Sequence, residues 1–470
     1  MIRNKILSIG LAVTTMVPAA HAQEINREIG DAPAHVKKTY SQVPFEGLDQ
    51  SWYNGGDRRD SAVLQTKYIS WNILLDANCT HSFNAPIDHT VVGSTALARN
   101  DEMEVSVAAI GGDFVYNNAH ARIMTQFGTR ATIVPRNDLS VYRGQYAMAD
   151  VYRYISEAYA GYHFNVLHGL NVDAGMFMSY IGLNSYYQAE NWEYQASFTS
   201  DNTPWFFNGI RLQLYPTSHL KAEAWIINGW QSYGMFNSLP GVGGNITWIP
   251  NSNIKLLTND YYGTDAPGII GRHRFHSDNS FLWKYYTGRK TAGINKMALS
   301  LTGDIGFEKG GGVNGFNSDA QKGPAQYFAS VMAYNRMWFG KNKWAWCIGG
   351  GWMKNPGRYL VLYPTGDASP LPNQYNPALN GGVGGTHPFS ANPGDGFEGW
   401  DASTNISWMP NQSIEFRLEY VHRESSVPYF AGQGGVTSPT GYTYTSLPTG
   451  WAPDLVKKED RLILALLFRL

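Results

Sequence analysis

The sequence predicts an all-β fold, a transmembrane antiparallel up-and-down β-barrel of about sixteen strands with short periplasmic turns and long extracellular loops. Three observations predict it. Apolar and polar residues alternate in runs of about 9 to 15 residues, and short links alternate with long ones between those runs. The composition is unusual for a soluble chain: aromatics reach 14% and glycines number 50, while charged residues make up 16% against the usual quarter. The mean hydropathy of −0.31 is no objection, because a membrane barrel averages a lipid-facing and a lumen-facing residue at every step.

The chain opens on Arg3 and Lys5, an apolar run from Ile6 to Val17, and Ala20-His21-Ala22. A basic start, a short apolar core and a small-residue cleavage site describe a secretory signal peptide, residues 1–22; the run is too short to span a bilayer as a helix. Residues 23–61, polar and irregular with Pro33, Pro44, Gly55 and Gly56, read as a periplasmic N-terminal extension. The barrel then occupies 62–470, and no later stretch has eighteen consecutive apolar residues.

Alternation places strands near 62–75, 102–110, 119–127, 150–164, 170–181, 204–215, 219–231, 242–249, 253–263, 272–287, 295–308, 325–339, 343–353, 398–409, 412–425 and 460–470. With the chain entering from the periplasm, even-to-odd links are short, as at Pro216-Thr217-Ser218, Gly340-Lys341-Asn342 and Pro410-Asn411. Odd-to-even links, such as 182–203, 354–397 and 426–459, are long and turn-rich. Trp248-Ile249-Pro250-Asn251 and Trp408-Met409-Pro410-Asn411 are near copies, and both fall on short links. The reading puts their prolines in periplasmic turns and their tryptophans in an interfacial girdle.

Faces separate within the strands. Arg272, Arg274, His276, Asp278 and Lys284 oppose Phe275, Phe281, Trp283 and Tyr285; Glu415, Arg417 and Glu419 oppose Phe416, Leu418 and Tyr420. Charge therefore points to the lumen, since an Arg or Lys on the lipid face costs about 2–4 kcal/mol at the bilayer midplane. In the last ten residues Leu462, Leu464, Leu466, Phe468 and Leu470 alternate to the end, a pattern that resembles the C-terminal signal read by the barrel-assembly machinery.

Residues from about 140 to 290 contain Asn202-Thr203-Pro204-Trp205, Tyr215-Pro216-Thr217, Asn228-Gly229-Trp230-Gln231, Trp248-Ile249-Pro250-Asn251 and His276-Ser277-Asp278-Asn279-Ser280. This stretch resembles the OmpL-like outer-membrane porins of the β-barrel porin-2 family. The resemblance implies a barrel in the outer membrane of a Gram-negative bacterium that lets small hydrophilic solutes diffuse through, with outer-membrane lipid around it. It brings no substrate and no binding residues.

Other chemistry is weakly supported. The pairs His163/His168 and His81/His89 with Asp88 lie at a turn and in a loop, where histidines are usually solvated, so no metal and no cofactor is expected. His276, Asp278 and Ser280 share a strand face, but alternate residues stand about 6.8 Å apart and no G-x-S-x-G elbow occurs, so a barrel lipase is disfavoured and no enzyme is expected. A gated transporter needs about 22 strands plus a plug, more than this chain holds. The net charge of −1 argues against nucleic acid as a partner. A secreted all-β binding or adhesion protein is the alternative of a different class. Cys79 and Cys347 either pair or are incidental.

Candidate pore-lining residues are Arg211, Lys221, Glu223, Arg272, Arg274, His276, Asp278, Lys284, Glu415, Arg417 and Glu419. Arg272, Arg274 and Lys284 form a basic ladder that can stand opposite Glu223, Glu415 and Glu419, giving a transverse field across the lumen. The aromatic segment 182–203 either folds inward as a constriction or lies on the surface. A homotrimer and a monomer are both compatible with the sequence.

Overall fold

The computed structural model describes residues 44–59, 62–135, 138, 148–266, 268–289, 292–357, 359, 396–442 and 451–470. The signal-peptide reading, the first part of the N-terminal extension and most of the 354–397 loop lie outside them.

Among the described residues, sixteen strands close into one barrel: β1 Ile69–Ser82, β2 Met103–Tyr116, β3 Ala119–Thr125, β4 Ile155–Phe164, β5 Leu170–Met178, β6 Phe206–Thr217, β7 Leu220–Ile227 and β8 Gly241–Asn251, followed by β9 Ile254–Gly263, β10 His273–Thr287, β11 Ile294–Gly310, β12 Tyr327–Phe339, β13 Trp344–Lys354, β14 Glu398–Trp408, β15 Ile414–Ser425 and β16 Lys458–Arg469. Each pairs antiparallel with its sequence neighbours. The last returns to the first with Leu74 opposite Arg469 and Ser82 opposite Arg461. Closure removes both sheet edges, which is what lets a sheet stand in lipid with its backbone polar groups satisfied. Val313–Asn314 adds a short rung beside β11, and Phe430–Ala431 pairs with Leu455–Val456 inside the last loop.

The strand count and the alternation of link lengths agree with the sequence, and the misplacements have local causes. The first strand begins seven residues later than 62, and runs on through Asp76-Ala77-Asn78-Cys79-Thr80. There the inward residues are polar and the outward ones small, so the stretch reads as loop. β2 continues through Gly111-Gly112-Asp113, which reads as a turn, to a tight turn at Asn117-Asn118. The start of the fourth run is a short helix, Met148–Tyr152.

The tryptophan-proline copies also shift. Pro250 lies within β8, at a register break between Trp248 and Asn251, and the turn proper is Ser252-Asn253. Pro216 sits in β6 at the same kind of break. A proline has no ladder donor, and a bulge is where a strand tolerates that loss. Pro410 does fall beyond its strand, in a turn where the Asn411 side chain accepts from the backbone N–H groups of Ser413 and Ile414. In all three cases the residue before proline (Tyr215, Ile249, Met409) turns inward and is buried. Trp248, Trp344 and Trp408 face out, with Trp408 stacked on Trp344 and Phe416.

Faces alternate throughout: on β16 Leu464 is 57% exposed and Ile463 0%. Within the strands the large exposed apolar side chains lie on the outer wall, where lipid takes the place of a core. A soluble sheet would bury that face, so the secreted alternative is not carried forward. With the short-turn mouth assigned to the periplasm, an epitope tag inserted after Gln412 should stay hidden from antibody on intact cells. One after Lys322, in the β11 to β12 loop, should be labelled; the opposite result would invert the orientation.

Candidate channel and its constriction

Two segments occupy the barrel interior. The first is the β5 to β6 link, residues 179–205; of the two sequence readings, the inward path is the one observed. Its backbone is held by side chains of the wall. Glu419 accepts from the N–H groups of Tyr194 and Gln195, each at 2.7 Å. Arg336 and Asn405 donate to the Trp192 carbonyl at 2.6 and 2.9 Å, and Arg417 donates to that of Asn191 at 2.9 Å. Asp401 accepts from the Phe198 N–H at 2.6 Å, while Arg423 reaches the Ala196 carbonyl and, at 2.8 Å, Asp201. A loop inside a barrel has no ladder for its peptide groups, so charged side chains of β12, β14 and β15 supply the missing partners. A short helix, Phe198–Asp201, capped by Ser197, closes the segment.

The second is residues 44–59, the described end of the N-terminal extension, which lie within the periplasmic mouth. Phe45 donates its N–H to Ser218 in the β6 to β7 turn; the Asp49 N–H and the Trp52 indole both bond Ser252 in the β8 to β9 turn. The Asp49 carboxylate meets Lys284 at 2.9 Å and Lys296 at 3.4 Å. Asp57 and Arg58 reach Arg469 and Glu415 on the far side. Phe45, Trp52 and Tyr53 join Trp192 of the inward loop in a buried cluster with Tyr215, Ile249, Trp338 and Met409. Burial pushes the Asp49 carboxyl up, but its hydrogen bond from Ser51 and the charges of Lys284 and Lys296 outweigh that and hold it well below the ordinary carboxylate range. A group depressed in the folded state stabilises above its unfolded pKa and loses that contribution as pH falls through its folded one, so this contact holds at neutral pH.

The expected pore-lining residues therefore divide. Glu415, Arg417 and Glu419 point inward but are buried against the inserted segments rather than facing open water. Arg274 pairs with Glu308 at 2.9 Å and also donates to the Tyr359 carbonyl; Lys284 holds Asp49. Arg272 precedes β10 and bonds the Gly311 carbonyl at the extracellular rim. The basic ladder does not form: Arg274 and Lys284 are each paired with an acid, Arg272 is held at the rim, and Glu223 is engaged locally by Lys221 at 3.0 Å and by Gln213 at 2.8 Å. Arg211 makes two bonds to Asp173, which also meets His120 at 2.5 Å.

His276 Nδ1 lies 2.9 Å from the Tyr359 hydroxyl, and that hydroxyl donates to the Phe275 carbonyl, so the histidine is the donor in their contact. Asp278 accepts from Asn259, and Ser280 bonds Thr302 rather than His276. These groups belong to a band of side-chain hydrogen bonds along the wall, from His163 to Asn171, Asn171 to Gln213, Gln213 to Glu223, Asn245 to Asn259 and Asn259 to Asp278. Among the described residues no group of three or more His, Cys, Asp or Glu is arranged to hold a metal. Cys79 and Cys347 are both free, the first on the outer face of β1 and the second buried on the inner face of β13.

Sequence reasoning missed Arg336, Arg423, Arg461, Asp401 and Asn405. The signal was present for Arg423, which continues the inward register of Arg417 and Glu419 to the end of β15. Arg461 keeps register with Arg469 on β16 in the same way.

A closed sixteen-strand barrel with an apolar outer belt and an interior narrowed by an inward loop defines an outer-membrane channel protein. The chain belongs to the family described as Putative beta-barrel porin-2, OmpL-like, whose model matches residues 68–447. No curated protein matches the sequence. Among solved structures it is similar to the outer membrane channel DcaP of Acinetobacter baumannii (10% identity, TM-score 0.45, covering 86% of this chain and 97% of that one). It is also similar to an anion-selective porin from Comamonas acidovorans (8%, 0.46, 86% and 99%) and to Pseudomonas putida OprB (11%, 0.47, 86% and 94%).

Proposed function

We propose that this porin is a passive channel for small hydrophilic solutes, and that they pass along the β2 to β7 side of the lumen, between that wall and the inward loop. One observation carries the placement. Among inward charges in ion pairs, Asp113 keeps 31% of its side chain exposed and Arg122 18%, whereas Arg417 and Arg461 keep none. Water thus reaches this wall at Asp113 and Arg122, although the loop also touches the same side, where Tyr187 bonds the Ser156 hydroxyl of β4 at 2.8 Å. Glu157 and Arg211, each 12% exposed, and Lys221, 17%, continue the set along the same wall. Both signs alternate there, so the passage favours hydrated polar solutes without binding any of them tightly.

Residues 1–22 would direct export, the C-terminal strand would be read by the barrel-assembly machinery, and a homotrimer is the assembly to test by crosslinking. The channel is tested in a planar bilayer, where the purified protein should give steady conductance steps. Asp113→Asn with Glu157→Gln removes the two acids paired with Arg122 and should move the reversal potential in a salt gradient toward anion preference. An unmoved potential would place the passage elsewhere, and absence of conductance would overturn the channel reading itself.

A further inference from the structure

We propose that residues 44–59 are a movable strap that closes the periplasmic mouth of the barrel, and that its release sets how far the channel opens. The proposal rests on the channel reading and names a regulation of the same passage.

The path of the segment carries the argument. It is anchored first at the β6 to β7 turn through Phe45, then at the β8 to β9 turn through Asp49 and Trp52, and at β10 and β11 through Lys284 and Lys296. It ends at β15 and β16, where Arg58 donates to the Ile414 carbonyl and Asp57 meets Arg469 at 2.9 Å. In a barrel of sixteen strands the first and last anchors stand nearly opposite each other. The segment therefore spans the opening instead of lining its rim.

It does so without contributing a strand. Closure is made by β1 on β16, and every ladder in the sheet is complete without residues 44–59. Withdrawing the segment would break side-chain bonds, turn contacts and the aromatic cluster of Phe45, Trp52 and Tyr53, but no rung of the barrel. One anchor is also wet: the Asp49 side chain is 37% exposed between Lys284 and Lys296, and ion pairs in contact with water hold only weakly.

The strap is also joined to the constriction. The Trp192 indole donates to the Trp52 carbonyl at 3.0 Å, Asn54 bonds Asn184 at 3.1 Å, and the Gly55 N–H donates to the Glu190 carbonyl at 2.9 Å. At Gly55, with φ of 75°, a Cβ would meet the Leu183 carbonyl at 2.8 Å, so the two inserted segments fit backbone to backbone there. Lifting the strap removes the floor on which the inward loop rests.

The test locks the strap and then frees it. In the full-length protein with Cys79→Ser and Cys347→Ala, Asp49→Cys and Ser252→Cys place a disulfide where the Asp49 N–H now bonds the Ser252 hydroxyl at 3.0 Å. The oxidised channel should hold a low conductance, and reductant added to the same bilayer should raise it several-fold, because the reduced form has also lost the bonds of Asp49 to Lys284 and Lys296. Equal conductance before and after reduction, with the disulfide confirmed by mass spectrometry, would overturn the strap. If the cysteine variant does not give a folded, heat-modifiable barrel, Asp49→Asn decides: a longer open time than the parent supports the proposal and an unchanged one overturns it. A parent protein with no conductance at all would instead remove the channel reading.

Discussion

Replacing residues 184–200 by a short Gly-Ser linker is expected to raise single-channel conductance several-fold while leaving a folded, heat-modifiable barrel. The segment fills the lumen without joining the sheet, so its loss widens the path and breaks no ladder. On β12, β14 and β15 the polar wall groups it leaves behind are charged or amide side chains: Arg336, Asn405, Arg417, Glu419 and Arg423. Once water replaces the loop they are solvated, and they retain partners of opposite sign, such as Arg417 with Glu415 at 2.8 Å. The cost of orphaning buried charge is therefore avoided. Planar-bilayer recording is the measurement, and an unchanged conductance would mean that the narrowest point lies elsewhere.

The contrast between wall and interior explains how much was legible in the sequence. The wall follows a local rule, one residue to lipid and the next to the lumen, and this rule recovered the strand number, the position of the long loops and the outward turn of Phe416, Leu418 and Leu464. What fills the lumen obeys no such rule. Tyr194 and Glu419, or Trp52 and Ser252, meet across about two hundred residues of sequence, and alternation carries no information about that distance. Polar composition made residues 23–61 look external, although Phe45, Trp52 and Tyr53 supply enough apolar surface to hold the end of that stretch inside. For the same reason Arg274, Lys284, Glu415, Arg417 and Glu419 lie on the expected inner face but have other neighbours than lumen water, and Arg272 falls outside its strand. Arg417 was expected to meet water and meets a peptide carbonyl.

Glu419→Ala is expected to be the most damaging single change on the inner wall. The carboxylate accepts from two loop N–H groups at 2.7 Å and from Asn405 at 3.0 Å, so its removal strands three buried donors and leaves Arg417 with less negative charge around it. Breaking a buried charged cluster from one side costs about 3–5 kcal/mol, and undocking the loop, which lets water reach those groups, is the cheapest relief. The barrel should stay folded while residues 183–203 become open to protease and the conductance rises. Glu419→Gln retains one acceptor oxygen and should show a smaller effect of the same kind. The sharper check is a double-mutant cycle with the 184–200 replacement. If Glu419 acts by holding the loop, Glu419→Ala should cost almost nothing once the loop is gone, a departure from additivity by most of the single-mutant effect. If thermal unfolding shows the same loss in both backgrounds, Glu419 stabilises the sheet itself, and the inward loop must owe its position to Arg336, Arg423 and Asp401 instead.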